Sequence, residues 1–122
     1  MTQTRSERRK HPRVPVRIRI QYRVADQFFT DYIQNLSLGG IFVETTDPLP
    51  VHTALKVQFS LPSLEEPIVA DGVVVHRVEI SGGKSRAAGG MGIRFSQLDE
   101  RSKRTLEAYI QKLQTPSKAH AN

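Results

Sequence analysis

Cysteine is absent from the 122 residues, which excludes disulfides and thiolate metal sites. Long apolar runs are also absent, and no stretch approaches the roughly 20 residues that a membrane-spanning helix needs. The opening segment, MTQTRSERRK, carries charge with no apolar segment behind it. That argues against a secretory signal peptide and sets the expectation of a cytoplasmic protein without membrane insertion. The four histidines, at 11, 52, 76 and 120, show no i, i+4 pairing, so nothing in their spacing supports a metal site. Aromatic residues make up 7% of the chain and do not form the pattern of a base-stacking platform. No internal repeat is visible, and the length suits one domain with one modest core.

Acidic residues are scarce in one region only. Residues 1–23 hold eight of the 18 lysines and arginines and a single acid, Glu7, for a local charge of +7. Residues 24–122 hold ten bases and eleven acids, a charge of −1. The entire positive excess therefore lies at the N-terminal end, which points to a localised anionic partner.

Residues 1–13 have no apolar periodicity and are expected to be a flexible basic arm. From Val14 to Val24 apolar residues alternate with Pro15, Arg17, Arg19, Gln21 and Arg23, the period of a half-buried strand with an arginine row facing solvent. Further strands are expected over Phe28–Asn35, Ile41–Thr45, Ala54–Leu61, Ile68–Ile80 and Met91–Phe95. A turn at 37–40, two prolines in "DPLP", the loop "PSLEEP" and the connection "SGGKSRAAGG" separate them. Asp99 suits a helix cap, with Glu100 in the first turn. Leu106, Tyr109, Ile110 and Leu113 fall at helical spacing, and Pro116 ends the segment. Their stripe is expected to pack against the sheet. Short strands followed by one helix indicate an antiparallel barrel with a C-terminal helix over 14–114, leaving 115–122 as a short tail.

Two apparent motifs fail on inspection. "NLSLG" resembles a nucleophile elbow, but Asn35 replaces its first glycine and "GIFVET" continues as a strand rather than a helix. "SGGKS" resembles a phosphate loop, but position 78 is Val where glycine is required, and the segment lies between strands. No catalytic residue is therefore assigned, and an enzyme is not expected.

Two other segments gain meaning together. "RRKHPR" (8–13) alone reads as a basic tail, and "NLSLGG" (35–40) alone reads as a hairpin turn whose Gly39 and Gly40 can take positive φ. Arg9-x-x-x-Arg13 followed by Asn35-x-Ser37-x-x-Gly40, with "GMGIRF" (90–95) as a closing strand, resembles the two-part signature of the PilZ domain family. The resemblance covers about residues 8–113. It implies a six-stranded antiparallel β-barrel with a C-terminal α-helix and binding of cyclic di-GMP, a bacterial second messenger.

By that resemblance the ligand-binding residues are Arg8, Arg9, Arg13, Asn35, Ser37 and Gly40. Lys10, Gly39, His76 and Arg77 are further candidates. Arg8, just before the first motif, implies an intercalated ligand dimer. The chemistry agrees, because guanidinium groups bind phosphate and the guanine O6/N7 edge in bidentate fashion and stack on purine faces. Asn35 and Ser37 offer short polar groups from a fixed hairpin, and Gly40 leaves room for close approach. The expected protein is a non-catalytic receptor whose arm orders on binding ligand and signals to an unidentified effector protein, in motility regulation or other surface behaviours. The rival expectations are a PilZ-fold interaction module that binds no nucleotide and, more remotely, nucleic-acid binding by the arm with Arg17, Arg19 and Arg23. The lack of a basic recognition helix weighs against the latter.

Overall fold

A computed structural model of the chain describes residues 13–62, 64, 66–79 and 89–114. Six strands and one helix follow in order: β1 (Val14–Val24), β2 (Gln27–Leu36), β3 (Gly40–Glu44), β4 (Ala54–Phe59), β5 (Ile68–Val78), β6 (Gly90–Leu98) and α1 (Glu100–Gln114). Every strand pairs antiparallel with its neighbours, and the sheet closes as β1-β2-β3-β6-β5-β4. Closure leaves no unpaired edge for another chain to extend. The expected six-stranded barrel with a C-terminal helix is the fold found.

The period-2 pattern of β1 does what alternation predicts. Ile18, Ile20 and Tyr22 are buried, while Arg17, Arg19 and Arg23 are exposed. Ile33, Leu36, Ile41, Val43, Val57, Ile68, Val74, Met91 and Ile93 belong to the same buried apolar filling, together with Leu55, Phe59, Leu61 and Ala70. Tyr22 brings a hydroxyl into this interior, stacks on Phe29 with ring centroids 5.1 Å apart, and donates to Asp31 Oδ2 at 2.7 Å. Burial, followed by that carboxylate, pushes its ionisation above the ordinary tyrosine range.

Three of the four register shifts among the described strands bear on which side chains face out. Between Ile33 and Asn35 the register with β3 gains one residue, so Ile33 stands opposite Val43 and Asn35 opposite Phe42. In plain alternation Asn35 would share the inward face of Ile33; the bulge turns it outward beside Phe42. A matching shift in β1 between Pro15 and Ile18 keeps Pro15 opposite Asn35. A third, between Val74 and His76, sets His76 opposite Gly92. Bulges commonly re-aim a side chain next to a functional site.

The helix starts as expected. Asp99 Oδ1 accepts the Ser102 N–H at 2.7 Å, and the Asp99 carbonyl accepts the first helical bond from Lys103 N at 2.9 Å. The Ser102 N–H holds the carboxyl below its usual value. Leu106 and Ile110 are buried and Tyr109 packs beside them, placing the helix against β1 and β5. Leu113 differs from the expectation. It is exposed, as are all of residues 111–114, so the packed stripe ends at Ile110. Strand β6 ends three residues later than expected, since Gln97 and Leu98 still pair with Asp71 and Ala70. Ile80, most of the following connection and Pro116 lie outside the described residues.

Leu106→Ala removes a fully buried side chain and is expected to cost about 2–5 kcal/mol in a denaturant titration. Asp99→Ala should lower the melting temperature at neutral pH. The difference should vanish at acid pH, because a cap whose folded carboxyl is depressed loses its contribution as pH falls through that lowered value.

Candidate functional site

The β2–β3 turn is built around one hydroxyl. Ser37 Oγ accepts the N–H groups of Gly39 and Gly40, each at 3.1 Å, and donates to the Gly40 carbonyl at 3.2 Å. The Ser37 N–H reaches the same carbonyl at 2.9 Å. Ser37 is buried, and its donor and both lone pairs are used within the turn. Its first role is thus to hold the loop that follows Asn35.

The turn is fastened to β6. Phe95 N donates to the Gly39 carbonyl at 2.9 Å. A Cβ on Gly40 would lie 2.2 Å from the Ile93 carbonyl oxygen and 3.2 Å from Arg94 Cα. Both obstacles are backbone and cannot swing aside. The expected reasons for glycine at 40 were a positive φ and room for a ligand. The structure corrects the first: the φ of Gly40 is not in the left-handed region, and this buried glycine has the closing strand as its close neighbour.

Arg13 and Asn35 are 22 residues apart in the chain, and the Arg13 guanidinium donates to Asn35 Oδ1. One residue of the first expected half-motif, Arg13, therefore meets one of the second, Asn35, on the outer wall. Pro15, two residues after Arg13, stands opposite Asn35. Arg8, Arg9 and Lys10 lie outside the described residues.

Asn35 begins a row across four strands, with Phe42 opposite Asn35, Gly92 opposite Phe42, and His76 opposite Gly92. The Phe42 and His76 rings have centroids 5.7 Å apart and planes 24° apart. His76 thus belongs to the same wall as Asn35. Arg77 stands opposite Met91, and its guanidinium is engaged by Glu79. Phe42 was not picked out by sequence reasoning. The visible signal was the alternate glycines of "GMG", which leave space for rings from neighbouring strands.

Two exposed arginines of β1, Arg17 and Arg23, lie against aromatic rings. Arg17 lies 3.7 Å from Glu44 and 4.1 Å over the Tyr32 ring, on the side of the wall away from the turn. Among the described residues no group of three or more His, Asp or Glu could hold a metal ion, and no helix is long and apolar enough to cross a membrane.

The family model described as PilZ domain matches residues 7–112. No curated protein matches the chain. Among solved structures, the PilZ domain of YcgR from Escherichia coli, determined with c-di-GMP, is similar at a TM-score of 0.72 and 20% identity, covering 93% of this chain and 97% of that one. The Bacillus subtilis inhibitor of motility MotI/DgrA has a TM-score of 0.74 at 22% identity, covering 87% of this chain and 51% of that one. The MrkH–c-di-GMP complex of K. pneumonia has a TM-score of 0.73 at 21% identity, covering 92% and 55%. The chain thus spans about half the length of MotI and MrkH, and these likenesses establish the fold.

Ser37→Ala removes all three side-chain hydrogen bonds of the turn and leaves two N–H groups without that acceptor. It should cost about 1–3 kcal/mol in chemical denaturation. Ser37→Thr, which keeps the hydroxyl, should lose less.

Proposed function

Because the chain belongs to the PilZ domain family, we propose that it is a non-catalytic receptor for cyclic di-GMP. The observation that carries this is the Arg13–Asn35 contact. It sets Arg13, the last residue of the basic segment, beside the polar turn on the outer wall, an arrangement that suits a ligand with both phosphates and guanine edges. A guanidinium can take a phosphate or the guanine O6/N7 edge with two parallel hydrogen bonds. The Asn35 amide, carrying both donor and acceptor, suits a base edge. Ser37 and Gly40 serve by fixing the turn on which Asn35 stands.

In this proposal Arg9 and Arg13 clamp the ligand, and Arg8 and Lys10 add charge for a stacked, intercalated pair of molecules carrying four phosphates. His76 extends the wall on which the bases lie. Ligand binding orders the N-terminal segment over the barrel, and an effector protein reads the altered surface. Motility control is the output suggested by the likeness to an inhibitor of motility. The concentration of net charge in residues 1–23 supports placing the anion there.

Isothermal titration calorimetry with cyclic di-GMP tests the assignment. The wild type should bind, and Arg13→Ala should weaken binding about 10- to 150-fold, the loss expected for a charge-assisted hydrogen bond of about 1.5–3 kcal/mol. The melting temperature of that variant should be unchanged, since Arg13 is exposed. Arg8→Leu should lower the ligand count per protein rather than abolish binding. Absence of heat with folded wild-type protein would reject the receptor and favour an interaction module that binds no nucleotide.

A further inference from the structure

The glycines of β6 make room for two side chains that take no part in the core. A Cβ on Gly92 would lie 2.3 Å from His76 Cε1 and 2.6 Å from His76 Nδ1, so the imidazole fills the place of a side chain at 92. A Cβ on Gly90 would lie 2.6 Å from Phe42 Cε2 and 2.8 Å from Cζ. Both rings therefore lie across the closing strand, 5.7 Å apart and close to parallel. The bulge between Val74 and His76 brings His76 to this point. His76 remains exposed while Phe42 is half-buried. Its ring occupies the notch at Gly92 with the Phe42 ring beside it.

We propose that Phe42 and Gly92 are positioning residues that form a seat for His76, holding its ring against the outer wall so that it receives the face of a planar heteroaromatic base. The ligand half of this proposal rests on the receptor assignment above; the seat itself does not. The register puts Asn35 next to Phe42, so a group that reads the edge of a base adjoins a surface that meets its face. His76 lies three strand spacings from Asn35, about 14 Å along the wall. One base cannot touch both, whereas a ligand with several stacked bases can. Stacking of a base on an aromatic ring tolerates any nucleobase, so the seat contributes affinity while Asn35 contributes selectivity.

The two glycines predict opposite outcomes for the same substitution. At Gly92 the obstacle is the end of a side chain, which can swing away. Gly92→Ala should fold with a near-wild-type melting temperature while evicting the imidazole. At Gly90 the obstacle includes the Val43 carbonyl oxygen at 2.3 Å, so Gly90→Ala should destabilise the barrel. The test combines the His76 Cε1–H resonance of the free protein with calorimetric titration of cyclic di-GMP.

Gly92→Ala and Phe42→Leu should each move that resonance and weaken cyclic di-GMP binding by about 5- to 20-fold, as expected for part of a stacking contact. Adding Gly92→Ala to His76→Ala should cause no further loss. An unmoved resonance in both variants would overturn the seat. A moved resonance with wild-type affinity would overturn its role toward the ligand and leave the receptor assignment standing. A wild type that takes up no cyclic di-GMP would overturn the receptor assignment and the ligand wall together, with the resonance still deciding the seat. Should Gly92→Ala fail to fold, Phe42→Leu carries the same two readouts.

Discussion

The close approach of β3 to β6 at Gly40 is the constraint on which the rest depends. The Ile93 carbonyl fills the space a side chain at 40 would need, and Phe95 donates to the Gly39 carbonyl. This contact closes the barrel and immobilises the turn in a single step. With the turn fixed, the Ser37 hydroxyl can satisfy two backbone N–H groups, and Asn35 is presented from a rigid base. A site built on strands rather than on a long loop is held more precisely. The glycine–serine turn is therefore part of the scaffold, and Asn35 is the group it delivers.

Much of the fold was legible because alternation is a strong signal. The run from Val14 to Val24 reads as a strand directly, and its ends coincide with those of β1. The cap at Asp99 and the buried pair Leu106 and Ile110 were equally plain. Leu113 misled because helical spacing specifies a face without saying where along it the packing ends. Of the site, the meeting of Arg13 with Asn35 followed from the paired motifs, but its cause did not. A bulge leaves no residue signature in "YIQNLS", yet one extra residue there decides that Asn35 points outward. Phe42 was hidden for the same reason, since strand order and register make it the neighbour of Asn35 and His76.

Charge is divided along the same lines as structure. On the barrel Lys56 pairs with Asp71 at 2.7 Å and Arg101 with Glu66 at 2.9 Å, while Arg17 faces Glu44. Such exposed pairs stabilise little, at most about 1 kcal/mol each. Their consequence is electrostatic: local compensation leaves the barrel nearly neutral, and the excess belongs to the segment around Arg13. Positive charge concentrated in one short stretch of chain favours a compact dianion over a long polyanion that would need a broad basic face.

The central claim is that ligand lies on the outer wall between Arg13 and His76. It is tested most directly by following backbone and side-chain amide resonances during titration with cyclic di-GMP. The account predicts the largest shifts at the Asn35 side-chain amide, residues 35–42, His76 and residues 90–92, with little change on β4. Shifts centred on Lys56 to Phe59, or spread evenly over the basic residues without engaging Asn35, would contradict it.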